Sequence, residues 1–81
     1  MVVQVVTFAR LRELLGFERR SLELADGATA DGAWSALATQ TPAIQALRAS
    51  TRFARNGRLV AISDPLQDGD ELALLPPVGG G

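Results

Sequence analysis

The stretch Asp68-Gly69-Asp70-Glu71-Leu72-Ala73-Leu74-Leu75-Pro76-Pro77-Val78-Gly79-Gly80-Gly81 closes the chain. It reads in three parts. Asp68-Gly69 is a turn signal. Residues 71–75 form a strand, with Leu72 and Leu74 on one face and Glu71, Ala73 and Leu75 on the other. Residues 76–81 form an extended tail. Each proline fixes its own φ and biases the residue before it away from helix. Three glycines then remove every side chain where the chain would thread a narrow channel. From Leu75 the tail reaches roughly 20 Å when extended. A domain over 1–75 that finishes on a strand, with a slender tail over 76–81, suits a terminal carboxylate delivered into another protein's active site. Glycine-rich ends also occur as frayed termini or cloning remnants. Neither of those needs a stiff diproline spacer directly after a strand.

Working back from the tail, residues 52–55, Asn56-Gly57 and residues 58–62 read as a β-hairpin. Asn-Gly is the preferred type I′ pair because both central positions require φ > 0. Residues 63–67 connect this hairpin to the last strand around Pro65 and Leu66. Thr29 is the N-cap of a helix running to about residue 39, with Asp31 in its first turn at the positive end of the dipole. Trp34, Leu37 and Ala38 form its buried stripe, Gly32 weakens it, and Pro42 ends it. Residues 43–49, with Ile44 and Leu47, add one or two helical turns. Residues 2–8 are a β-branched strand whose Val3, Val5 and Thr7 face inward while Gln4, Val6 and Phe8 face outward. Residues 9–15 are a short helix closed by Gly16 as its C′ residue. Residues 19–24 are a second strand, with Leu22 and Leu24 on one face. The order is strand, short helix, strand, helix, hairpin, strand. One main helix across one face of a mixed sheet satisfies the layer rule for α+β domains. It is the order of a β-grasp, or ubiquitin-like, fold, with the first and last strands side by side in the centre.

Composition narrows the function. The chain has 81 residues, enough for one domain with one small core. It contains no Cys, no His and no Lys, and all eight basic residues are Arg. The usual side chains for nucleophilic, Schiff-base and near-neutral acid–base chemistry are therefore missing, which argues against a self-contained enzyme. Without Cys there is neither a disulfide framework nor a thiolate metal site, a pattern compatible with a reducing cytoplasm, and that is the expected location. Met1-Val2-Val3-Gln4 lacks a basic n-region and no apolar run approaches a transmembrane span, so neither a signal peptide nor a membrane span is expected. The net charge of −1 gives no drive toward nucleic acid or an anionic membrane.

The valine-rich first strand followed by Phe8-Ala9-Arg10-Leu11-Arg12-Glu13-Leu14-Leu15-Gly16, the segment Pro65-Leu66-Gln67-Asp68-Gly69-Asp70-Glu71-Leu72, and the closing Pro-Pro-Val and Gly-Gly together carry a family likeness. The chain resembles the small subunit of molybdopterin synthase along its whole length, and the tail is the specific part. That resemblance implies a sulfur carrier. An ATP-dependent activating enzyme, similar to the ubiquitin activators, adenylylates the C-terminal glycine. With a sulfur-donor protein the glycine becomes a thiocarboxylate. The tail then enters the large subunit, which binds a cyclic pyranopterin precursor and receives the sulfur. By this likeness Gly81 bears the reacting carbonyl and Gly80 supplies the slender approach. The catalytic side chains are expected in the large subunit, and no tightly bound cofactor or metal is expected here. The chain departs from the family at Leu75, where an aromatic residue is common, and at Gly79, a third glycine.

Other candidate sites rank as follows. Phe8, Leu59 and Leu75 are expected to form an exposed apolar patch opposite the main helix that docks the large subunit and the activating enzyme, with Pro76, Pro77, Val78 and Gly79 continuing the contact. The ordinary alternative is core packing or scattered surface residues. Arg48, Arg52, Arg55 and Arg58 read first as a solvated hairpin face guarding a sheet edge, and second as a dock for an acidic partner or RNA. No aromatic pattern for RNA stacking accompanies them. Asp64, Asp68, Asp70 and Glu71 read as turn chemistry rather than a cation site. Trp34 reads as a core anchor. Competing functions are a sulfur carrier for thiamine, cysteine or tRNA thiolation, a protein modifier unable to build chains on its own lysines, and a β-grasp RNA-binding or regulatory module.

Overall fold

A computed structural model describes residues 1–77. Its elements are β1 (Val2–Thr7), α1 (Ala9–Leu15), β2 (Arg19–Glu23), α2 (Ala30–Gln40), a 3-10 helix (Pro42–Ser50), β3 (Arg52–Arg55), β4 (Arg58–Val60) and β5 (Glu71–Leu75). The five strands form one sheet in the order β2-β1-β5-β3-β4. β1 and β5 pair in parallel, and the other neighbours pair antiparallel. The expected α+β β-grasp architecture is therefore present, with the first and last strands together at the centre.

Strand alternation decides what is buried. Val3, Val5, Thr7, Leu72, Leu74 and Phe53 all point to the helix side and are essentially inaccessible. They meet Ala30, Ala33, Trp34, Leu37 and Ala38 of α2, together with Ile44 and Leu66. Trp34 packs edge-on against Phe53, with ring centroids 6.0 Å apart, and its indole N–H donates to Gln45 Oε1 at 3.1 Å. Thr29 caps α2 as expected: its hydroxyl accepts from Gly32 N at 3.1 Å. Gly16 ends α1 with φ +81°, and the Gly16 N–H donates to Arg12 O at 2.9 Å. Thr7, the one polar residue among these inward strand positions, donates its hydroxyl to Phe17 O, so burial leaves it satisfied.

The ends of elements differ from the sequence reading in several places. The first strand stops at Thr7 because Phe8 and Ala9 turn the chain into α1, Ala9 adopting φ +50°. β2 ends at Glu23, and β4 covers only Arg58–Val60. Beyond Val60 the chain leaves the sheet: Ile62 O accepts from Asp31 N at 2.8 Å, tying this loop to the start of α2 instead. The helical turns after Pro42 are a longer 3-10 helix ending at Ser50, where Ser50 and Thr51 both donate side-chain hydroxyls to Leu47 O. The four arginines do not share a face. Arg48 stacks its guanidinium over Trp34 and Phe53, at 6.0 and 5.5 Å from their ring centroids, and pairs with Asp31 at 2.8 Å. It is part of the packing on α2 rather than of the hairpin. Arg55 donates to Pro65 O at 2.7 Å on the helix side, whereas Arg52 lies on the outer side.

The Asp68-Gly69-Asp70 turn locks the central pair. Asp68 Oδ1 accepts from Val2 N at 2.7 Å, Gly69 N donates to Val2 O at 2.8 Å, and Gln4 N donates to Asp70 O at 2.8 Å. Asn56 closes the other side. Its φ of +51° and the +85° of Gly57 fit the expected Asn-Gly hairpin turn. Its amide donates to Asp70 Oδ1 and accepts from Glu71 N, both at 2.9 Å, while its backbone N–H donates to Glu71 O at 2.8 Å. Gln67 N also donates to Asp70 Oδ2 at 2.8 Å. The acidic cluster is therefore turn and register chemistry, as the sequence reading preferred.

Asn56→Gly isolates that side-chain clamp, because glycine accepts the positive φ at no steric cost. The substitution should destabilise the domain by about 1–2 kcal/mol through loss of two hydrogen bonds, one to the Asp70 carboxylate and one from the Glu71 backbone N–H. Urea unfolding should show a lower midpoint with an unchanged slope. An unchanged midpoint would mean the clamp contributes nothing.

Candidate functional site: the outer sheet face and the root of the tail

The strand positions that do not feed the core build the opposite face. Reading across the sheet, Arg19, Val6, Ala73, Ala54 and Leu59 fall in one row. Phe8 and Leu75 follow at the end from which the tail departs. The parallel register pairs Thr7 with Leu74, so one further step sets Phe8 beside Leu75. Phe8 is 43% exposed and Leu59 63% exposed, while Leu75 and Val6 are half-buried. All three sequence-derived patch residues thus lie on the face away from α2. Leu59 is separated from Leu75 by β3, with Ala54 and Ala73 between.

The small side chains of Ala54 and Ala73 matter here. They keep the centre of this face low, so a shallow apolar saddle runs between Leu59 and Val6, with Phe8 and Leu75 toward its tail end. Charge sits around it. Arg19 and Glu71 pair at 2.6 Å on the β2 side. Arg52 stands opposite Leu75 in the β3–β5 register. An apolar centre with a polar rim is the anatomy of a protein-binding surface rather than of a small-molecule cleft.

Pro76 and Pro77 continue from β5, so the tail leaves from the middle strand and not from a frayed edge. The root of the tail is fixed on one side by β1 and on the other by β3. Val78, Gly79, Gly80 and Gly81, four of the expected site residues, lie outside the described residues. Among the described residues no cluster of His, Cys, Asp or Glu could hold a metal ion, and no helix is long and apolar enough to cross a membrane. The described residues offer a platform and a fixed exit direction, but no nucleophile–base pair.

Sequence reasoning missed Ala54 and Ala73 as the floor of the saddle, because alanine carries no pattern signal by itself. Only the pairing register puts the two side by side. It also missed that Phe8 lies beside the tail root, lining one cavity with Pro76 and Pro77.

The ThiS family model matches residues 5–81. The molybdopterin synthase sulfur carrier subunit of Chlamydomonas reinhardtii is 35% identical over 83 residues, covering 100% of both chains. The protein of the same name from Escherichia coli is also 35% identical, over 99% of this chain and 100% of its own. Among solved structures, SAMP1 from Haloferax volcanii superposes with a TM-score of 0.85 at 31% identity, covering 100% of both chains. A chain in the protein–protein complex of subunits 1 and 2 of the molybdopterin-converting factor from Helicobacter pylori superposes with a TM-score of 0.69 at 27% identity, again over 100% of both. A chain of the Amycolatopsis orientalis BexX/CysO complex gives 0.72 at 29% identity, over 98% of this chain and 99% of that one.

The outward placement of Leu75 has a direct test. Leu75→Arg should leave circular dichroism unchanged and shift stability by less than about 1 kcal/mol, the usual range for substitutions away from the core. A variant that melts at room temperature would place Leu75 in the core and invalidate this account of the face.

Proposed function

The chain belongs to the ThiS family, and from that premise we propose that it is a sulfur carrier that serves as the small subunit of molybdopterin synthase. The observation that carries the reading is the continuity of the central strand β5 with Pro76-Pro77 beside an apolar outer face. A partner that docks on the face receives the tail at a fixed offset. Full-length similarity to two sulfur carrier subunits of molybdopterin synthase supports the choice of pathway. Similarity to a subunit found in complex with a second subunit supports a large-subunit partner.

The chemistry follows from a carboxylate without neighbouring catalytic groups. A carboxylate is a poor electrophile, so it is activated first. The Gly81 carboxylate attacks the α-phosphorus of ATP in the activating enzyme, pyrophosphate leaves, and an acyl-adenylate results. Sulfide-level sulfur then displaces AMP and leaves a thiocarboxylate; where a donor protein offers the sulfur as a persulfide, the acyl disulfide first formed is cleaved by a thiol, which is oxidised to a disulfide. In the large subunit this sulfur attacks a carbon of the pterin precursor, and the carbon–oxygen bond at that carbon breaks, its oxygen leaving with a proton. Water cleaves the remaining acyl–sulfur bond and restores the Gly81 carboxylate. Two such transfers supply both dithiolene sulfurs. The contribution of this chain is positional: holding a reacting group in the correct geometry can replace much of the entropic barrier. Gly80 and Gly79 keep the approach narrow, and Pro76-Pro77 limit the conformations the tail explores.

A second reading is a ubiquitin-like protein modifier, favoured by the similarity to SAMP1 over the full length of both chains. The two readings share the activation step and differ in the final acceptor, which is a lysine amine for a modifier and a pterin carbon for a synthase subunit.

Incubation with the activating enzyme, ATP and a sulfur source should shift the C-terminal peptide by the oxygen-to-sulfur mass increment. Absence of that increment, under conditions that load a known carrier, would contradict the sulfur-carrier reading. One residue added after Gly81, such as Ala, should abolish sulfur transfer without changing stability. It displaces the carboxyl by about 3.3–3.6 Å, where misplacement of about 1 Å already costs some hundredfold in rate. The extended protein should still bind the large subunit and inhibit the normal one competitively. Full activity, with the extra residue verified as attached, would contradict the terminal-glycine chemistry.

A further inference from the structure

Beside the root of the tail the structure holds a cavity of about 300 Å³. Its walls are Phe8 and Leu11 from the β1–α1 junction, Leu47 from the 3-10 helix, and Pro76 and Pro77. Three observations mark it as more than an incidental dent. The first is size: a closed apolar cavity of ~150 Å³ accepts a benzene ring, and this one is about twice as large. The second is backbone strain. Ala9 holds φ +50°, a left-handed conformation that residues with a Cβ rarely adopt, and it lies in the wall of the cavity directly after Phe8. That turn sends Phe8 outward as the partition between the cavity and the saddle. Strained backbone of this kind concentrates at ligand clamps.

The third is charge. Arg10 is the sole charged residue among the lining residues described. Its side chain is 65% exposed, and its nearest acidic neighbour, Glu13, is 3.7 Å away at the surface. The guanidinium is therefore loosely held at the mouth of an otherwise apolar hole. The neighbourhood is thus apolar within and positive at the rim.

We propose that this cavity is a socket for one large apolar side chain of the protein that receives the tail, with a carboxylate of that protein beside it meeting Arg10. The proposal rests on the sulfur-carrier reading for the identity of the partner, and extends it with a second contact point. Phe8 is shared by the saddle and the socket, so a surface lying on the saddle reaches the socket without a gap. Pro76 and Pro77 form one wall, so the occupant would grip the tail where it begins. Gripping the root fixes the direction of the residues beyond it, which a flat sheet face alone does not do. The consequence is a division of roles: the saddle supplies contact area, and the socket aims the tail.

The chain contains no cysteine, so Ser50→Cys places a single thiol in the socket wall. Ser50 is exposed at the end of the 3-10 helix, and the exchange is close to isosteric. Alkylation of the introduced thiol by iodoacetamide would be timed in the free variant and in its saturated complex with the molybdopterin synthase large subunit from the same genome. At least tenfold slower alkylation in the complex is expected. In parallel, Arg10→Glu should weaken binding of that large subunit by about tenfold at low salt, with a smaller effect at high salt because screening reduces the repulsion. A thiol left unprotected in a complex verified by co-elution would overturn the socket while leaving the sulfur-carrier reading intact. Unchanged affinity for Arg10→Glu would overturn the carboxylate contact and with it the proposal. Failure of the unsubstituted chain to bind the large subunit at all would overturn both readings.

Discussion

The parallel pairing of β1 with β5 is the constraint from which the rest of the molecule follows. It joins the two ends of the sequence at the centre of the sheet, with Gln4 opposite Glu71 and Thr7 opposite Leu74. Side-chain alternation then commits both strands at once. Val3, Val5, Leu72 and Leu74 enter the core, and Val6, Ala73, Phe8 and Leu75 are turned away from it. A slip of one residue would exchange the two sets and expose the leucines. The hydrogen bonds of Asp68, Gly69 and Asp70 to the start of β1, and of Asn56 to the start of β5, resist that slip.

The same pairing connects fold to function. A tail attached to an edge strand or to a loop would leave from a mobile base. Here it leaves from a strand paired on both sides, next to Phe8 and within reach of an apolar face. Under the proposed function, the reactive group would be carried at the end of a short spacer on this base. Under the same proposal, acid, base and metal chemistry falls to the proteins that would receive the tail. The composition agrees with this arrangement. A chain with no Lys or Cys would offer an activated terminus of its own no side-chain amine or thiol to attack.

Much of this was legible in the sequence because several signals agreed on one answer. Val3, Val5, Leu72 and Leu74 alternate cleanly, Asn56-Gly57 fixes a hairpin, Thr29 caps α2, and Gly16 ends α1. Together with Pro76-Pro77 and the glycines they point to both the β-grasp order and the outward placement of Phe8, Leu59 and Leu75. What stayed hidden depends on contacts between distant segments. Arg48 looks like a hairpin arginine by position, yet it packs over Trp34 and Phe53 and pairs with Asp31. Asn56 looks like a turn residue only, yet its side chain ties the last strand in register. Ile62 looks like a strand residue, but its carbonyl is taken by Asp31 of α2, and β4 stops short. The cavity beside Pro77 could not be read at all, since its walls come from three separate parts of the chain.

The central claim is that the domain carries sulfur on its terminal glycine to a pterin carbon in a partner's active site. A single-turnover transfer with isotopically labelled sulfur tests it most directly. The thiocarboxylated protein would be mixed with the large subunit and the cyclic pyranopterin precursor, and the label followed in both protein and pterin. The account predicts that label leaves Gly81 and appears in the dithiolene product at one sulfur per carrier chain, with the carrier returned as a plain carboxylate. Label retained on the carrier, in a mixture where a known carrier transfers its sulfur, would contradict the account.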